Sequence, residues 1–114
     1  MSKVRFTRDM KRRILVRMRT RIRRGWVQGA YYGMTESGKP GVCLLGAMRQ
    51  SLLELYPEIA TQHGFRYDEL SKRISLDRAV RRRGYKEVYT FNDDPKTRKA
   101  DVLRLLDKKI GELA

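Results

Sequence analysis

The chain has 114 residues and a mass of 13.5 kDa, which suits one compact domain and leaves little for a second. Its hydrophobic content of 40% supports a core and argues against wholesale disorder; one cysteine excludes an internal disulfide framework, and one histidine excludes a His-rich metal cage. Against 13 acids stand 27 lysines and arginines, a formal net charge of +14, so the composition points to an anionic partner and indicates no reaction.

The first helix is expected to start at Thr7, whose hydroxyl can cap it, with Asp9 in the first turn where the helix dipole favours an anion. Met10, Ile14, Leu15, Met18 and Ile22 recur at helical spacing, and Gly25 is placed to end the helix in a left-handed conformation. Arg8, Arg12, Arg19 and Arg23 fall opposite the apolar arc, while Arg13, Arg17 and Arg24 flank it. Residues 26–41 contain Trp26, two tyrosines and four glycines, and read as a Gly-rich structured loop with a turn at Ser37-Gly38. A second helix is predicted from Val42 to Tyr56, limited by Pro57, with Gly46 and Ala47 small enough to admit another backbone.

A short helical segment follows from Pro57 to about Gly64. Asp68 then caps a stretch running to Gly84, unless Ser75 caps a separate short helix within it. Tyr85 to Phe91 reads as an extended strand without an obvious partner. Asp94-Pro95 is a strong helix start, leading to a last helix with Val102, Leu103, Leu106, Ile110 and Leu113 on its buried face. The expected fold is therefore all-α, a single domain over 1–114 with four or five helices.

Charge is concentrated at one end. Residues 1–24 hold eleven basic side chains, Lys3 included, against Asp9 alone, so net +10 of the total +14 lies there; residues 25–114 form a nearly neutral body. The arginines interrupting Ile14-Leu15-Val16 exclude a secretory signal, and an organellar presequence is disfavoured because the segment reads as part of the fold. No apolar run approaches the ~20 residues of a membrane span, and a cytoplasmic location is expected.

Three strings stand out in order: Gly25-Trp26-Val27-Gln28-Gly29-Ala30, Cys43-Leu44-Leu45-Gly46-Ala47, and Phe91-Asn92-Asp93-Asp94-Pro95 followed by Asp101-Val102. Together they resemble a family of small uncharacterised proteins of actinobacteria and their phages, with the pattern G-W-x-Q-G-A, C-x-x-G-A and W-N-D-x-P. The resemblance implies a shared fold and a genomic setting but no mechanism. Phe91 stands where that pattern has Trp, and the basic first helix exceeds it.

Individual residues admit both chemical and structural roles. Cys43 near a helix start could act as a nucleophile with His63 or Asp93, but a buried structural thiol is the simpler reading, and His63 reads as capping carbonyls at a helix end. Asn92-Asp93-Asp94 offers too few ligands for a metal and reads as a turn; no P-loop follows the glycines. Trp26, Gln28, Tyr31 and Asn92 could line a loop pocket, or could pack and satisfy loop backbone.

The leading expectation is non-specific nucleic-acid binding through phosphates, by Arg8, Arg12, Arg19 and Arg23 with Arg81, Arg82 and Arg83 as a second patch. The affinity expected is on the order of 10⁻⁴–10⁻⁶ M at physiological salt. The alternative is docking on an acidic host or virion protein, with Tyr31 and Tyr32 as anchors. An enzyme using Cys43 comes third, and no cofactor is expected.

Overall fold

The computed structural model describes residues 5–114, apart from the side chain of His63; Lys3 and the capping role expected of His63 lie outside the described residues. Helix α1 (Arg8–Arg24) starts as its sequence dictates, with Thr7 Oγ1 accepting from the Met10 amide at 3.1 Å. Its apolar arc of Ile14, Leu15, Met18 and Ile22 is buried against α2 (Leu44–Leu55) and α7 (Lys99–Glu112). Three helices thus share one core, in which Leu44, Met48, Leu52, Phe91 and Leu106 are fully enclosed.

Gly25 does not end α1 in the left-handed region. It is extended, with φ −177° and ψ 124°, and the reason for glycine there is proximity: a Cβ would sit 2.3 Å from the Pro40 carbonyl oxygen. That contact lets the chain leaving α1 join a small hairpin, with Val42 N donating to Gly25 O and Val27 N donating to Val42 O. The hairpin pairs β1 (Tyr32–Met34) antiparallel with β2 (Pro40–Val42), Gly33 opposite Gly41. The expected turn is present, with Gly38 at φ 81° and Thr35 Oγ1 accepting from Lys39 N.

Seven helices are found among the described residues, more than the four or five expected, because the middle of the chain breaks into short ones. Helix α3 (Pro57–His63) ends on Gly64 in the left-handed region. The stretch expected to run from Asp68 to Gly84 divides into α4 (Tyr67–Arg73) and α5 (Leu76–Arg81). The division falls at Ser75, which turns the corner with φ 63° and makes no side-chain cap. Arg66 occupies the cap position of α4 and Asp68 lies in its first turn.

Two expectations are corrected here. Tyr85 to Phe91 is not a strand: residues Val88–Asp93 form helix α6, opened by a reciprocal cap between Glu87 and Thr90. Its inward side chains, Val88, Phe91 and Asn92, have helical spacing. Asp94-Pro95 does not start the last helix either. Asp94 closes a turn, accepting from Lys96 N at 2.9 Å and from the Tyr85 hydroxyl, bonds that hold its carboxyl below the usual range. Helix α7 begins four residues later, where Asp101 accepts from Arg98 N at 2.8 Å. Its buried face is Val102, Leu105, Leu106, Lys109 and Ile110; Leu103 and Leu113 are only half-buried.

Candidate functional site

The arginines of α1 separate into two sets. Glu54 on α2 takes Arg21 and, at 3.5 Å, Arg17; Gln50 accepts a further bond from Arg21. Arg19 Nη1 reaches Asp107 on α7 at 2.7 Å, and Arg13 pairs with Asp9 at 2.8 Å. Arg8, Arg12, Arg23 and Arg24 are exposed and make no ion pair with any described residue. Arg19, expected on the outer face, thus lies on the seam between α1 and α7. Charge reversal at Arg19 would set two carboxylates against each other, so it is no neutral probe of the outer face.

Helix α7 runs antiparallel to α1, since Lys99 Nζ donates to the Arg23 carbonyl while Arg19 meets Asp107. The N-terminal half of α1 therefore lies toward the C-terminal end of α7. The second expected patch reaches that same end, because Arg82 pairs with Glu112 at 2.6 Å. Arg81 pairs loosely with Asp77 at 3.8 Å, and Arg83 lies over the Phe91 ring at 5.6 Å. Lys108 and Lys109 join the patch from α7; sequence reading missed them because a lysine beside a hydrophobic face reads as solvent.

The loop residues expected to form one pocket divide between two places. Asn92, only 1% exposed, is the hub: its Oδ1 accepts from Trp26 Nε1 at 2.8 Å and from Leu44 N at 3.0 Å. Its Nδ2 donates to the Val27 carbonyl and to Asp93 Oδ1. Gln28 Nε2 bridges the carbonyls of Asn92 and Asp94, and Asp93 Oδ1 also accepts from Gly29 N. These bonds occupy every polar atom of the Asn92 side chain, so it serves as a clamp between the post-α1 loop, the start of α2 and α6.

Tyr31 and Asn92 border a cleft of about 440 Å³ with Cys43, Tyr89 and Asp93, whereas Trp26 and Gln28 face a shallower depression beside the hairpin turn. Tyr31 stacks on Tyr67 with centroids 4.3 Å apart. Among the described residues, no three His, Cys, Asp or Glu side chains are grouped to hold a metal.

Cys43 occupies the cap position of α2, its sulfur accepting from Gly46 N at 3.3 Å. Burial pushes the thiol pKa up, against the backbone bonds that lower it, so the protonated and poorly nucleophilic form is favoured. A serine can make the same cap with a better acceptor. Cys43→Ser is therefore expected to stay within ~1 kcal/mol of wild-type stability, less than the 1–3 kcal/mol loss that a buried hydroxyl without a partner brings. Chemical denaturation measures this, alongside slow labelling of native Cys43 by a thiol reagent. Rapid labelling would contradict the buried, capped thiol.

No described helix is long and apolar enough to cross a membrane. No curated protein and no solved structure matches the chain. The model of a family of unknown function, DUF6197, matches residues 7–112, from the α1 cap to the end of α7, and so spans all seven helices and the clamp on Asn92. The chain belongs to that family.

Proposed function

We propose that this protein binds nucleic acid without sequence preference, through phosphate contacts made by the outer face of α1 and the Arg81–Arg83 segment. The observation that carries the reading is the division of the arginines. The acids on and facing α1 are taken up by Arg13, Arg17, Arg19 and Arg21, leaving Arg8, Arg12 and Arg23 exposed and without an ion pair among the described residues. A helix with that residual charge repels itself, and a polyanion relieves the repulsion. The reading needs no chemical step and no cofactor. The motif resemblance favours an actinobacterial cell or its phage as the source, and the arginine-interrupted first helix favours a setting in the cytoplasm.

Three to five neutralised phosphates give a slope of log K against log [salt] of about −2.7 to −4.5 for duplex DNA. Anisotropy titrations on two unrelated duplexes across a salt series should return that slope and near-equal affinities. A flat salt response removes nucleic acid as the partner. The second reading, an acidic host or virion protein, is favoured by the hairpin, where Tyr31, Tyr32 and Met34 are 46%, 47% and 66% exposed. A nuclease-resistant acidic protein recovered in a pull-down from host lysate would promote it.

A further inference from the structure

The C-terminal ends of α5 and α7 enclose a small cavity of about 80 Å³, bordered by Arg82, Arg83, Lys108, Lys109 and Glu112 above the apolar side chain of Leu105. Four cations therefore border the cavity beside one carboxylate, with Arg83 also lying over the Phe91 ring. Glu112 is already divided: one oxygen takes Arg82 at 2.6 Å, the other faces Lys109 Nζ at 3.6 Å, too far for a good hydrogen bond. Lys109 is 7% exposed as a residue, its stem packed on the core and its ammonium turned to Glu112. Burial, together with repulsion from Arg82 and Arg78, pushes its pKa below the ordinary lysine range against the opposing pull of Glu112. The cavity thus sets four cations against one carboxylate, which two of them already share.

We infer that this cavity binds a single phosphate group, with Lys109 at its floor and Arg82, Arg83 and Lys108 at its mouth. The size excludes a drug-sized ligand, which needs roughly 300 Å³ or more. The number of donors favours phosphate over a carboxylate, since a tetrahedral anion accepts from several directions while a carboxylate presents two oxygens in one plane. The inference deepens the nucleic-acid reading and rests on it for the source of the phosphate.

The test is an NMR titration of the backbone amides with inorganic phosphate, against sodium chloride at matched ionic strength. Saturable one-to-one shifts confined to residues 78–84 and 105–112 are expected. Lys109→Met keeps the buried stem and removes the charge, and should weaken phosphate binding about 10- to 100-fold, the loss of one charge-assisted hydrogen bond. Arg83→Gln, at an exposed position, should weaken it in the same direction and serves if Lys109→Met folds poorly. Shifts that never saturate, or wild-type affinity in both variants, overturn the site.

Duplex oligonucleotide added to the phosphate-saturated protein identifies the source. Displacement assigns the site to backbone phosphate, and binding without displacement assigns it to the free ion. If phosphate saturates the site and no duplex binds, the pocket stands and the nucleic-acid reading fails. If duplex binds and phosphate does not saturate, the pocket alone fails.

Discussion

Asn92→Ala is expected to cost about 3–5 kcal/mol of a total stability near 5–15, since each buried polar group left without a partner costs ~1–3. The orphaned groups are the indole N–H of Trp26, the amide of Leu44 and the carbonyl of Val27. Asn92→Asp should not rescue the loss. It keeps the acceptor for Trp26 and Leu44, but turns a carboxylate oxygen toward the Val27 carbonyl and Asp93, where a donor stood. Denaturant unfolding of both variants provides the measure. An Asn92→Ala protein within ~1 kcal/mol of wild type would mean that water replaces the clamp at little cost.

Gly46→Ala is expected to destabilise the protein, although alanine is the better helix former by ~1 kcal/mol. Gly46 lies in the first turn of α2, and a Cβ there would stand 2.3 Å from the Tyr31 carbonyl oxygen. Backbone cannot rotate aside as a side chain can. The loop must lift from α2, breaking the bond from Cys43 N to that same carbonyl at 3.1 Å. Overpacking of this kind costs ~1–3 kcal/mol, and the upper end is expected here because the obstacle is main chain. Gly111→Ala in α7 meets nothing within 4 Å and should be neutral or stabilising, which makes it the control. Thermal unfolding of the two variants gives the comparison; a Gly46→Ala protein as stable as Gly111→Ala would show that the loop does not rest on α2.

The long helices were legible because their apolar residues recur every three or four positions. Ile14, Leu15, Met18 and Ile22 are buried as their spacing required, and Thr7 caps α1 as its chemistry required. Helix α6 was illegible for a physical reason: Val88, Tyr89, Thr90 and Phe91 favour strands individually, and the residue completing the inward face is the polar Asn92. Asp94-Pro95 carries the chemistry of a helix start, yet Asp94 commits its carboxylate to the Tyr85 hydroxyl and Lys96 N and closes a turn instead. The hairpin escaped because its three-residue strands contain glycine and proline and show no alternation.

The candidate sites show the same limit. Whether an arginine is spent or free depends on partners far along the chain, and Arg19 meets Asp107 across 88 residues. No local pattern marks Lys109 as buried, since its neighbours Lys108 and Ile110 point to opposite environments. That Trp26, Leu44 and Asn92 meet in one clamp is visible only in the fold, since Asn92 lies 66 and 48 residues along the chain from the other two.

The division between spent and free arginines is tested most directly by salt-dependent duplex binding of two variants beside the wild type. On the proposed reading, Arg8→Gln with Arg12→Gln removes two phosphate contacts. The slope of log K against log [salt] should become shallower by about 1.8, with melting unchanged. In Arg19→Gln the ion pair with Asp107 is lost; stability should fall by up to ~1 kcal/mol while affinity and slope stay at wild-type values. Wild-type affinity and slope in the Arg8, Arg12 variant would show that the outer face is only solvated surface.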